Sequence, residues 1–209
     1  MTEREALLRA VCENPDDDTP RLVFADWLEE NGEVARAEFT RLQVQLAAMY
    51  REAAPGKEAV EKEVNRLWLR YGAEWRESLP HIQGVQWHDA FHRGFAEHVI
   101  VDSDKTLVTF AEEIFNSAPV RYLVVLHFGA VNGFGHLTYL GRLRTFTARN
   151  EKARASLIQR LIAFDNFGDS TLLCFHFGSR GNASYPELRE KFGNRLHHPP
   201  APLLAPPEV

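Results

Sequence analysis

The 209 residues, 44% hydrophobic and 25% charged, are enough to bury a core and make one or two domains of ordinary globular composition. A formal net charge of -5 and an isoelectric point near 6.0 argue against a general polyanion binder, which needs a basic surface, so nucleic acid is not expected as a partner. Cys12 and Cys174 lie far apart without a CxxC or Cys/His companion, so neither a zinc site nor a disulfide framework is signalled. The charged opening Thr2-Glu3-Arg4-Glu5 does not fit a secretory signal, and no apolar run approaches the roughly 18 residues of a membrane span. A cytoplasmic protein without membrane contact is the expectation.

Residues 1 to about 79 read as helical. Thr2 and Glu5 form a capping box, and Ala6, Leu7, Ala10 and Val11 follow at helical spacing until Asn14-Pro15. Asp16-Asp17-Asp18-Thr19-Pro20 supplies a second start, with an Asp or Thr cap, Pro at the first helical position and negative charge at the positive end of the dipole. That helix carries Leu22, Phe24, Ala25, Trp27 and Leu28 and ends at Asn31-Gly32, where glycine takes the left-handed terminal conformation. Ala35, Phe39, Leu42, Leu46 and Met49 make the stripe of a third helix over about Glu33 to Glu52, stopped by Pro55-Gly56. Val60, Val64, Leu67, Trp68, Tyr71 and Trp75 make a fourth, with Gly72 its weak point.

At Leu79-Pro80 the pattern changes. His81 to Phe95 lacks clear periodicity and predicts an irregular connector; a short strand at Glu97 to Val101, a helix at about Ser103 to Asn116 and a strand at Arg121 to Leu126 follow. Further on, a helix is expected over Ala153 to Phe164 and a last helical turn over Pro186 to Phe192. "HHPPAPLLAPPEV" has no packing pattern and is expected to be disordered or extended.

An internal repeat is visible. "LVVLHFG" (123–129) and "LLCFHFG" (172–178) share Leu and His-Phe-Gly at one offset, with "LGRLRTFTARN" (140–150) between them. Taking Leu123, Phe146 and Leu172 as equivalent gives spacings of 23 and 26 residues, inside the window of leucine-rich repeats. Val120, Leu123 and Val125, and then Leu143, Phe146 and Ala148, fit the apolar places; the asparagine that usually satisfies the turn after the strand is mostly missing, with Asn150 one residue early.

The first 50 residues resemble the bacterial repeat-companion domain that precedes leucine-rich repeats. The residues that carry the likeness are Glu5-Ala6-Leu7-Leu8, Asn14-Pro15, the run Asp18-Thr19-Pro20-Arg21-Leu22-Val23-Phe24-Ala25-Asp26-Trp27-Leu28-Glu29-Glu30-Asn31-Gly32, and Ala35-Arg36-Ala37-Glu38-Phe39 with Arg41-Leu42-Gln43. Gly72-Ala73-Glu74-Trp75, Arg93-Gly94-Phe95, Ala118-Pro119-Val120-Arg121 and Leu188-Arg189-Glu190-Lys191-Phe192-Gly193 are similar to segments that flank and close such repeats. The resemblance implies a helical module followed by repeats and carries no catalytic residue, cofactor or ligand with it.

Candidate chemistry is sparse. His127 and His176, equivalent by the repeat, have no third ligand at a matching position. His88 and His92 sit four apart without the glutamate of a zinc-hydrolase helix. Asp26, beside Trp27, reads as a structural acid that pairs with Arg21 or Arg36 or hydrogen-bonds a neighbouring helix end. Gly129 and Gly133-Phe134-Gly135 match no nucleotide-binding pattern, and no nucleophile motif is present. No catalytic residue, metal or cofactor is therefore expected. The strand residues pointing away from the core are the better candidates for binding: Tyr122, Val124 and Leu126; Thr145, Thr147 and Arg149; Thr171, Leu173 and Phe175.

The expected fold class is α/β (or α+β): a small helical bundle over 1–79, a connector and degenerate leucine-rich-repeat-like unit with about three strands over 80–196, and a Pro-rich tail over 197–209. The expected function is non-catalytic protein–protein interaction or scaffolding through the repeat face, with self-association as one form of it. The alternative is a regulatory or enzymatic component with a site near Asp26, His88 and His92.

Overall fold

The structure, a computed structural model, describes residues 1–130, 132–150, 155–177 and 186–197. It is a mixed α/β fold. Four helices come first: α1 (Glu3–Glu13), α2 (Thr19–Glu30), α3 (Val34–Arg51) and α4 (Lys57–Glu77). The capping box at Thr2 and Glu5 is formed, and Gly32 after α2 takes the left-handed φ of +86°. At the start of α2 the side chain that caps is Asp17, which accepts from the Thr19 amide at 2.8 Å, while Asp16 and Asp18 turn to arginines instead. Gly72 is no weak point: the Trp68 ring lies where a Cβ would stand, 2.7 Å from its Cδ2, so the missing side chain is what lets the ring pack flat on α4.

The second half alternates strand and crossover: β1 (Val85–Trp87), β2 (His98–Ser103), α5 (Asp104–Ser117), β3 (Tyr122–His127), β4 (Thr145–Asn150), α6 (Ala155–Ile162), β5 (Leu172–Phe177), α7 (Pro186–Phe192) and β6 (Leu196–His197). The crossover from β3 to β4 holds only the 3-10 segments Phe134–His136 and Thr138–Arg142. The strands form one six-stranded sheet in chain order, β1-β2-β3-β4-β5-β6. Only β1 is antiparallel to its neighbour. The expected connector over 81–95 thus contains a strand, and the sheet has six strands where about three were expected. The Pro-rich tail from 198 onward lies outside the described residues.

Parallel crossovers are right-handed, so strands in chain order send every crossover to the same face. The core confirms this packing. Val99 and Val101, Leu123 and Val125, Phe146 and Ala148, and Leu173, Phe175 and Phe177 join Leu107 and Ile114 of α5, Leu140, Leu157 and Leu161, and Leu188 of α7 in one buried cluster. Phe39, Val64, Leu67 and Trp75 of the helical segment belong to it too, so sheet and helices share a core. A smaller cluster of Val11, Phe24, Ala25, Leu28, Ala37 and Phe95 lies beneath α1 and α2.

One register is corrected. Leu173, not Leu172, stands beside Phe146, and the aligned core positions are Val99, Leu123, Phe146, Leu173 and Leu196. The shared "HFG" misleads because β3 leaves the alternation at His127, an exposed residue whose Nδ1 lies 2.8 Å from the Asp102 carbonyl. Phe128 therefore turns into the core after the strand, whereas β5 keeps its alternation and buries Phe177 within it. His127 and His176 are consequently not equivalent; His176 stands beside Arg149.

Candidate functional site

The face of the sheet away from the crossovers presents a set of side chains fixed by register. Ile100, Val124, Thr147 and Cys174 make one row across β2 to β5, and His98, Tyr122, Thr145 and Leu172 make a second. Leu126, Arg149 and His176 extend it toward the strand ends. Val124 and Thr147 are 6% and 7% exposed, yet Val124 belongs to neither apolar cluster: it is shielded within the sheet face. Tyr122, Leu126, Thr145 and Arg149 are half-buried, and Leu172 is exposed.

Three of the expected face residues are corrected. Leu173 and Phe175 are fully buried in the core, and Thr171 is buried with its Oγ1 donating to the Leu143 carbonyl at 2.8 Å. A one-residue slip moves a strand's whole outward set to the other side. The outward residues of β5 are Leu172, Cys174 and His176. Asn150, expected as a displaced turn asparagine, does serve the turn: its Nδ2 donates to the Phe128 carbonyl at 2.6 Å.

Beside this face lies the junction between the helical segment and the sheet, built on buried charge. Arg21 and Glu97, both essentially inaccessible, meet at 2.6 Å, and Arg93 shares the same carboxylate oxygen at 3.0 Å. Arg93 also reaches Asp18 at 3.0 Å, and both arginines donate to the Pro15 carbonyl. Asp16 holds Arg121 through both carboxylate oxygens, at 2.8 and 2.7 Å, and Arg144 at 2.9 Å. Burial works to raise the Glu97 pKa, but His92, Arg21 and Arg93 outweigh it and hold the carboxyl below its ordinary value. Burial lowers the Arg21 pKa to about 10, against the opposing pull of Glu97. His92 Nδ1 stands 3.3 Å from Glu97 Oε2 without hydrogen-bond alignment.

Local backbone positions Arg93. His92 and Phe95 exchange both backbone hydrogen bonds around Arg93-Gly94, whose φ values are +46° and +88°, a pair that fits a type I′ turn. Gly94 has no alternative there, because a Cβ would sit 2.6 Å from Thr40 atoms. An arginine in the left-handed region carries a conformational cost, offset here by four charged or carbonyl partners of its guanidinium. At the outer border of this network is a pocket of about 310 Å³ lined by Ala47, Tyr50, Arg51, His92, Arg93, Tyr122 and Arg144.

A larger cavity, about 710 Å³, lies among the helices, with Phe24, Leu28, Trp75, Phe91 and Phe95 in its walls. Arg36 lines it too, its guanidinium between the Trp75 and Phe91 rings at 4.8 and 4.7 Å and donating to the Gly94 carbonyl at 2.6 Å. Burial lowers the Arg36 pKa to about 9.

The acid and histidines considered for chemistry do not converge. Asp26 is two-thirds exposed and accepts from Arg41 at 2.7 Å, not from Arg21 or Arg36, both of which turn inward to backbone carbonyls. His88 stacks on His98 with ring centroids 4.9 Å apart, while His92 faces Glu97. His98 is pushed down to about 4 by burial and by the neighbouring His88. No group of three metal-ligating side chains occurs among the described residues, and none of their helices is long and apolar enough to cross a membrane.

Sequence reasoning did not find the junction arginines as a group. The available signal was three consecutive acids where a helix start needs one, which leaves two looking for cations elsewhere in the chain. No family model, curated protein or solved structure matches the chain.

Proposed function

We propose that the protein is a non-catalytic protein-interaction module in which a short leucine-rich-repeat solenoid, preceded by a repeat-companion helical module, presents its uncovered sheet face to a partner protein. The observation that carries this is topological: five parallel strands in chain order, with their crossovers packed on one side, leave the other side free of those crossovers, flanked by α3 at Tyr122. Aligned core positions at 99, 123, 146, 173 and 196 support a repeat of leucine-rich length. Ile100 and Val124 in one row, and Leu126 and Leu172 among Tyr122, Thr145, Arg149 and His176 in the rows beside it, give the mixed apolar and polar character of a binding surface.

Site-specific photo-crosslinking tests it. A crosslinking residue at Leu126 or His176 is expected to trap a discrete partner, whereas the same residue at Leu69, 86% exposed on α4, is not. Equal trapping from all three positions, or none from the sheet face in cells that make the protein, sinks the proposal. A Leu172→Asp, Arg149→Glu variant is expected to release the trapped partner while leaving the circular dichroism spectrum intact.

A further inference from the structure

We propose that the pocket bordered by Tyr50, Arg51, His92, Arg93, Tyr122 and Arg144 binds a phosphate monoester in its dianionic form. Its polar lining is three guanidinium groups, an imidazole and two phenols, with no carboxylate in the wall; the Tyr50 hydroxyl already donates to Glu61, which leaves the guanidinium groups, His92 and Tyr122 as donors. Planar guanidinium forks match the geometry of phosphoryl oxygens.

Charge sets the class of ligand. Arg21, Arg51 and Arg93 pair with Asp18 and Glu97, Arg121 and Arg144 pair with Asp16, and a 3.5 Å hydrogen bond from Arg93 to the Asp16 carbonyl joins the two sets into one group. Five guanidinium groups on three carboxylates leave a surplus of two positive charges, in a chain whose formal net charge is -5. The count covers the ion-paired group; beside Tyr50, α4 adds Glu58 and Glu61 against Lys57, which lies over the Tyr50 ring at 4.3 Å. The surplus sits at the pocket end of the group. Arg93 is buried and already paired with Asp18, Glu97 and the Pro15 carbonyl, whereas Arg51 is 65% exposed with a 3.4 Å contact to Asp18, and Arg144 is 47% exposed and shares Asp16 with Arg121. A dianion matches that surplus; a lone carboxylate leaves half of it. Tyr50 and Tyr122 put aromatic side chains in the wall beside the phosphate, which suits an aryl or sugar ester. Tyr122 also stands in the outward row of the sheet, so the same chemistry is open to a free phosphate ester and to a phosphorylated side chain of a bound protein.

The test is calorimetric titration of the whole chain with phenyl phosphate at low salt, with phenylacetate as the monoanionic control. Saturable binding of phenyl phosphate, clearly tighter than phenylacetate, is expected. Arg51→Ala with Arg144→Ala is expected to weaken it by about tenfold for each guanidinium removed. Absence of saturable binding, equal affinity for the two probes, or an unchanged affinity in the double variant overturns the proposal. Ala47→Glu, which puts a carboxylate into the wall from α3, is a second variant and must abolish binding even if the first fails to fold. A phosphotyrosine peptide distinguishes the sources: affinity well above that of phenyl phosphate assigns a protein-borne phosphate, and affinity no greater assigns a free ester. None of these measurements uses the sheet-face partner, so the pocket and the interaction surface stand or fall separately.

Discussion

The rungs of the sheet and the junction that ties the sheet to the helices are held by different physics. Inside the rungs, Phe128, Phe134, Phe146, Phe167 and Phe175 touch one another with centroids 4.9 to 6.2 Å apart, a continuous apolar stack that runs across β3, β4 and β5. At the junction, Arg21, Arg93, Glu97 and Arg121 bring charge to the same depth and pair it with one another, with the more exposed Asp16 and with backbone carbonyls. Apolar stacking is tolerant of shape and non-directional; a buried ion network admits few arrangements and penalises every unpaired member. The contrast teaches that the stack supplies cohesion, whereas the network sets how the helical module meets the first rungs.

The sharpest way to break that contrast is Glu97→Gln. It keeps the side-chain shape and strands two buried guanidinium groups, so a loss of about 3–5 kcal/mol is expected in urea denaturation. Little salt dependence is expected, since neither Arg21 nor Glu97 meets solvent. The same pair predicts an acid limit. Glu97 is held below the ordinary carboxylate value in the fold, so its contribution is complete above that value and is lost as pH falls through the folded one. A loss under 1 kcal/mol would show instead that the network is replaceable.

Gly72→Ala comes next. Alanine favours a helix over glycine, but its Cβ meets the Trp68 ring at 2.7 Å, and Trp68 packs on Phe39 and Phe91. A net loss of about 1–3 kcal/mol is expected, against a gain of about 1 kcal/mol if the ring can move aside. Phe146→Leu tests the stack itself. Removing an aromatic ring while keeping an apolar filling is expected to cost about 1–2 kcal/mol, less than Glu97→Gln although Phe146 is equally buried.

Legibility in the sequence follows the range of the interaction. Caps at Thr2 and Gly32 and the stripes of α1 to α4 were readable because a helix is written in neighbours three and four apart. The alternating second half was readable in type, yet β1 was missed: three residues in an aromatic-rich connector carry no period, and the strand exists because β2 offers it an edge. Register failed by one at Leu172-Leu173, where two adjacent leucines are equally good core residues and only the pairing with Phe146 decides. That slip also misplaced Thr171, Leu173 and Phe175 on the binding face. The junction and its pocket were not readable, because Asp16 meets Arg121 and Arg21 meets Glu97 across 105 and 76 residues. Local reasoning gave Asp16 to Asp18 to capping, which needed only Asp17.

The smallest effect expected concerns the face rather than the frame. His98 lies on the outward row, stacked on His88 and near Tyr122, and burial together with His88 lowers its pKa to about 4. In the unfolded chain a histidine titrates near 6.5, so between those values the unfolded state binds the extra proton and the folded state does not. Stability is therefore full above about pH 6.5 and declines as pH falls toward 4, above the range in which Glu97 acts. His98→Gln keeps a polar side chain on the row without the proton. It is expected to reduce the pH dependence between 6.5 and 4, with the remainder on this face coming from His176, whose pKa burial and Arg149 also lower, while leaving stability at pH 8 nearly unchanged, as read from urea midpoints across that range. A slope that survives substitution of both His98 and His176 would move the acid sensitivity from the sheet face to the junction, and would return the two regions to a common origin.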